Sequence, residues 1–197
     1  MTAPSARLTP ALPLLVLLCA LGGCGAPSQP LPMALAEPDV LQMRAWVPDA
    51  LRRQIVVAPV KGGLETSRWW GSKVSARALQ QALEDSLYTV GLKPQSPEPP
   101  SRFELQAEVV QLDQPLVPVA GVSVAISVRY TLYERVTGQI LYQRLLSNVS
   151  DAGFTEALLS PSERLRIANE RGLQANIQMM LREVLALRPG PAERASS

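Results

Sequence analysis

The feature that most constrains this chain is an apolar run, Ala11 to Leu21, that stops at Leu21-Gly22-Gly23-Cys24. As a helix the run would rise only about 17 Å, whereas a hydrocarbon core of roughly 30 Å needs about 20 apolar residues. It is too short to span. With Arg7 as the positive residue ahead of it, the segment 1–23 has the layout of an export signal that is cut away. The fold must then be built from Cys24 onward.

Leu21-Gly22-Gly23-Cys24 has the pattern of a bacterial lipobox: an aliphatic residue, two small residues, and a cysteine that is acylated before cleavage. Small residues are needed because the peptidase seats the backbone closely at the bond it cuts. Cys19 fits poorly, since bulky Leu18 precedes it. The alternative is an ordinary secretory signal with an incidental cysteine. After cleavage Cys24 is the only cysteine, so no intramolecular disulfide is possible and the lone thiol is at the first residue. Two or three acyl chains anchor stably where one is marginal. Gly25 stands where many enteric-type lipoproteins of the inner membrane carry aspartate, which points to the outer membrane, periplasmic face.

Residues 24–51 hold Pro27, Pro30, Pro32, Pro38 and Pro48 with little periodicity and read as a lipid-anchored tether. Docking of Leu41, Trp46 and Val47 is left open. A single periplasmic domain is expected over 52–188, with a frayed tail at 189–197. Gln54 to Val60 is a β-branched run ending near Pro59, a buried strand. Ala76, Leu79, Leu83, Leu87 and Val90 share one face of a helix over about 72–90, stopped by Gly91. Two alternating strands come next, around Phe103–Val109 and Val122–Leu132, then a third over about 139–149 after Thr137-Gly138. Ser160-Pro161-Ser162-Glu163 is a capping box opening a long helix to about Leu187. The order β-α-β-β-β-α predicts an α+β fold: a four-stranded, mainly antiparallel sheet with two helices on one face.

Composition then limits the chemistry. An apolar fraction of 47% supports a core and argues against wholesale disorder. Without residues 1–23 the chain has 18 basic against 17 acidic residues, so no general charge draws it to nucleic acid. There is no histidine, which excludes histidine triads, bases and metal sites. Ser72 and Lys73 are adjacent and point different ways on a helix. Glu84-Asp85 lies off the leucine face and reads as solvated surface. Gly62-Gly63 lacks the spacing of a phosphate loop, and no acidic run resembles a calcium loop. The chain is therefore expected to be no enzyme, with no metal and no cofactor.

Two segments resist a purely structural reading. Arg68-Trp69-Trp70 lies in the loop after the opening strand, and tryptophans beside arginine suit interfaces; the alternative is that they close the end of the core. Gln114-Pro115-Leu116-Val117-Pro118-Val119-Ala120 joins two strands and is almost wholly apolar, either folded onto the domain or presented to a partner or membrane. Arg68, Trp69, Trp70, Leu116, Val117 and Val119 are the candidate interface, and Cys24 the lipidation site.

The stretches Gly62–Trp70, Gln81–Leu87, Leu112–Pro115, Val128–Leu132 and Arg166–Glu170 together resemble an uncharacterised family of proteobacterial envelope lipoproteins, over roughly residues 54–187. Members are sometimes labelled UDP-N-acetylglucosamine acyltransferase. Enzymes of that name resemble left-handed β-helices of hexapeptide repeats with a histidine base, and this chain has neither. The strand–helix–meander–helix order also resembles, more loosely, the auxiliary lipoproteins of ABC-type transporters. These resemblances imply a lipid-anchored binding or scaffold protein in an envelope complex, touching the membrane through its acyl chains and an envelope protein partner. The other implied reading is a carrier or docking module for lipid or lipopolysaccharide. The sequence leaves oligomeric state open.

Overall fold

The computed structural model describes residues 27–62, 74–96, 100–115, 121–157 and 160–190. Three long strands, β3 (Phe103–Asp113), β4 (Val122–Glu134) and β5 (Ile140–Ala152), form an antiparallel meander. Their period-2 pattern decides which face is buried. Phe103, Leu105, Val124, Ile126, Val128, Tyr130, Leu132 and Leu146 are buried on one face, while Glu104, Gln106, Arg129 and Gln143 point to the other.

The opening strand departs from expectation. It is two short pieces, β1 (Ile55–Val57) and β2 (Lys61–Gly62), both parallel to β3, so the sheet has five strands rather than four. Pro59 explains the break, because it has no N–H to offer a ladder. Ala58 N–H still donates to Leu105 O at 2.9 Å before the chain leaves. The parallel pairing results from α3 (Ala76–Val90), which crosses between these strands and β3.

α3 begins where Ser75 Oγ accepts from Ala78 N–H at 3.1 Å and ends at Gly91, whose φ of 93° is the left-handed conformation glycine adopts freely. Its Leu79, Leu83, Leu87 and Val90 are buried. The long α4 (Pro161–Leu185) opens on Ser160 as expected, with Ser160 Oγ accepting from Glu163 N–H at 3.3 Å. It buries Leu165, Leu173, Ile177, Met180 and Val184 against the same face of the sheet. Gly172 sets that approach: an added Cβ would stand 2.5 Å from Ile126 Cδ1. Asn176 Nδ2 donates to Leu146 O at 3.0 Å, and Asn148 Nδ2 to Gly172 O at 2.9 Å. Amides thus lock helix to sheet where the layers are closest.

Residues 28–51 differ most from the expected tether. They form two short helices, α1 (Pro30–Met33) and α2 (Glu37–Arg44), each with proline in its first turn, where no N–H is missed. Met33, Val40, Met43, Val47 and Leu51 are buried against the helical layer. Of the three residues left open for docking, Val47 is buried whereas Leu41 and Trp46 are exposed. The molecule therefore has a sheet, a helical layer, and an arm laid across the helices.

Candidate functional site

Cys24, Arg68, Trp69, Trp70, Leu116, Val117 and Val119 all lie outside the described residues. What the structure gives is where their segments leave and rejoin the fold. Gly62 is paired with Val109, toward the Asp113 end of β3, and the second segment comes directly after Gln114. The first rejoins at buried Val74 ahead of α3, whose far end lies at the start of β1, where Ile55 N–H donates to Leu92 O at 3.0 Å. Both segments are thus stemmed at one end of the sheet, the end where β5 finishes at Ala152, opposite Val122.

Gly62 is held there by geometry. Its φ is 70°, and a Cβ would sit 2.4 Å from Val109 O. Gln114 Nε2 donates to Asn169 Oδ1 at 3.0 Å, tying the end of β3 to α4. Buried Arg164 donates from Nη1 to Ala157 O at 2.6 Å and stacks over Phe154, 5.2 Å from the ring centre.

Several charges at this end are paired among the described residues. Arg171 Nη2 donates to Glu156 Oε1 at 2.6 Å, and this bond, with Gly153 N–H donating to Glu156 Oε2, holds the Glu156 carboxyl below the usual range. Arg166 bridges Glu163 and Glu170, with 2.7 Å between Nη1 and Glu170 Oε2. Its bond to Glu163 holds that carboxyl low against the opposing pull of burial and keeps the guanidinium firmly protonated. Arg171 thus latches α4 to the turn after β5 and, through Asp151 O at 2.8 Å, to β5 itself, while Arg166 pairs within α4. Glu84, on α3, meets Lys93 and Gln80, and Asp85 accepts from Gln81 at 2.8 Å, so that carboxylate pair is tied to surface partners.

The open face of the sheet carries a second polar network. Tyr133 OH donates to Glu104 and accepts from Gln106 Nε2 at 3.2 Å, while Arg129 Nη1 donates to Glu108 Oε2 at 2.6 Å. The bond to the Glu104 carboxylate raises the Tyr133 hydroxyl above its ordinary range. A surface cleft of about 420 Å³ lies beside it, lined by residues such as Lys61, Glu104, Gln106 and Thr131. Between sheet and helices the described space is filled by buried side chains, among them Phe103, Leu105, Tyr130, Leu79 and Met180.

The arm, whose docking sequence reasoning left open, holds a surface it did not name. Its outward side exposes Leu31, Leu41 and Trp46, and Trp46 lines a cleft of about 570 Å³ with Gln42, Met43, Arg182, Leu185 and Arg188. The available signal was the spacing of Met33, Val40, Met43 and Val47, a buried row inside a segment whose prolines suggested a linker. Among the described residues no cluster of three or more metal-ligating side chains occurs, and no helix is long and apolar enough to cross a membrane.

No protein-family model matches the chain, and a comparison with curated proteins finds no match. The fold is similar to a solved structure of a Xanthomonas campestris protein of family DUF330, at 12% identity and TM-score 0.51, covering 71% of this chain and 89% of that one. Solved structures also match from Caulobacter crescentus, for a protein assigned as a lipoprotein (11% identity, TM-score 0.45, 74% and 92% covered). Another is a minor lipoprotein from Acinetobacter baumannii (12%, 0.42, 69% and 93%). At such identity the Xanthomonas likeness shows a shared α+β fold.

Proposed function

We propose that this chain is a lipid-anchored, non-enzymatic binding protein of the bacterial envelope, held by acylated Cys24 at the periplasmic face of the outer membrane as a scaffold for a protein partner. The observation that carries the reading is the lipobox cysteine four positions before Ser28, where the chain packs onto its own domain. An anchor so close to the folded part gives a bound domain rather than a diffusing one. The paired charges described above add support, since those carboxylates and guanidinia are already tied to one another. The candidate binding surface is the pair of segments around Trp69-Trp70 and Leu116–Val119, stemmed at one end of the sheet. A lipid-carrier role would require an apolar groove between sheet and helices, and the buried side chains that occupy that layer among the described residues lend it no support.

Photo-crosslinking in intact cells, with probes at Trp69 and Val117 and a control at Glu108 on the open sheet face, tests the proposal. A discrete protein adduct at the first two positions alone is the expected result. Lipid adducts there would instead favour a carrier, and adducts no different from the control would remove the binding surface.

A further inference from the structure

The arm runs alongside α4 in one direction. Gln29 N–H donates to Glu170 Oε1 at 2.7 Å, Gln174 Nε2 donates to Ala34 O at 2.8 Å, and Gln178 Nε2 donates to Asp39. Trp46 then lies by Arg182 and Leu185. One side of the arm is used up by this packing, through Met33, Val40, Met43 and Val47. The arm also exposes three large apolar side chains, Leu31, Leu41 and Trp46, to 79%, 70% and 73%. Pro32, Pro38 and Ala45 are exposed between them, interleaved with exposed Glu37, Gln42 and Arg44. Single exposed leucines are ordinary on a surface, but such a row on one short segment calls for a covering medium.

We infer that this outer side of the arm is a membrane-contact surface that lies in the bilayer interface. The inference rests on the lipid-anchor reading above and adds the orientation in which the anchored domain sits. The length of chain before the arm selects the bilayer as occupant. Ser28 is buried and Cys24 is four positions upstream, so the acyl chains enter the membrane no more than about 14 Å away. An apolar row starting that close to the acyl chains is brought to the lipid by the same tether. Trp46 sits among Arg182 and Arg188, which matches the amphipathic ring and cationic neighbours favoured at the headgroup level. Glu37 is exposed at the start of this segment and Arg182 pairs with Asp39 at 4.0 Å, while Arg44 and Arg188 add positive charge at its far end. In this pose the helical layer lies over the arm and the open sheet face, with Leu145, points away from the lipid.

The acylated full-length protein in phospholipid vesicles provides the test. Apart from acylated Cys24 the mature chain has no cysteine, so Leu41→Cys or Leu145→Cys supplies one thiol for an environment-sensitive fluorophore. The expected result is quenching at position 41 by nitroxide-bearing phospholipid, with position 145 unaffected. Trp46, made the only tryptophan by Trp69→Phe and Trp70→Phe, should be quenched by brominated lipid in parallel, without relying on a change at Leu41. Equal quenching at 41 and 145, or shielding of 41 from aqueous quencher without quenching from lipid, overturns the inference; shielding of that kind means a second copy or another protein covers the arm. Vesicle binding of acylated wild type and of an unacylated chain beginning at Gly25 is measured beside it. If the two bind alike, the anchor reading itself has failed; if only wild type binds and 41 stays unquenched, the orientation alone has failed.

Discussion

Gln29 and Glu170 stand 141 positions apart in sequence, yet the Gln29 N–H donates to Glu170 Oε1 at 2.7 Å. The same carboxylate, almost fully buried, also takes Arg166 Nη1, at 2.7 Å on Oε2 and 2.8 Å on Oε1. One side chain thus fixes the start of the arm and the first half of α4 together. Glu170→Ala leaves the Gln29 N–H without its acceptor and Arg166 with Glu163 alone. We expect a loss of about 2 kcal/mol, the usual scale for a hydrogen bond to a charged group, read by denaturant unfolding. Amide exchange should rise over residues 29–35, while Glu170→Gln, which keeps an acceptor, should cost less. Unchanged exchange in the arm would show that its apolar packing alone holds it.

Gly172 predicts a matched pair of variants. A Cβ there would meet Ile126 Cδ1 at 2.5 Å and Ser150 Cβ at 3.0 Å. Overpacking costs roughly 1–3 kcal/mol, against about 1 kcal/mol of helix propensity gained on replacing glycine by alanine. Gly172→Ala should therefore destabilise the domain. Ile126→Val, which removes the Cδ1 methyl, should recover part of the loss in the double variant. Additive effects in thermal melts would contradict the contact.

Gly62→Ala should act more locally. The φ of 70° disfavours a side chain, and Val109 O blocks the Cβ. We expect faster exchange in β2 and around Val109, with the β3–β5 meander protected as before. A variant with full protection at β2 would show that the strand tolerates the side chain by shifting.

Acid should weaken the end of the molecule where α4 begins. Hydrogen bonds from Arg171 and Arg166 lower Glu156 and Glu163 from the ordinary 4.5. A carboxylate with a lower pKa in the folded state stabilises it fully above its unfolded pKa and loses that contribution as pH falls through the folded value. The melting temperature should thus be insensitive to these groups at neutral pH and fall on the acid side of the carboxylate range. Glu163→Gln should make that fall shallower. An identical acid profile in the variant would assign the loss to other carboxylates.

The parts of the fold legible in sequence are those whose signal is local. Ser160-Pro161-Ser162-Glu163 announces α4 because cap, proline and acid act within one turn, and Leu79, Leu83 and Leu87 announce α3 by their spacing. The alternation through β3 and β4 is equally plain, since one face is buried. β2 was not legible as a separate strand, because two residues carry no period and their pairing with Glu108 and Val109 is non-local. Docking of the arm was left open, and its helices were not legible for a related reason. α1 and α2 are too short to display a helical period, and their prolines, read as linker chemistry, sit in the first turns where helices accept them. Of the candidate site, sequence named the residues and the structure supplies the shared end from which their segments leave. The outward row Leu31, Leu41 and Trp46 becomes meaningful only once Met33, Val40 and Val47 are seen to face inward.

The central claim is that the folded domain is tied to a membrane through Cys24, a few residues before it packs on itself. Intact-mass and peptide mass spectrometry of the protein extracted from bacterial membranes tests it most directly. The account predicts a mature chain beginning at Cys24, with residues 1–23 absent and the mass of a diacylglyceryl thioether on that cysteine. A chain beginning elsewhere, or a free thiol at Cys24, would contradict it.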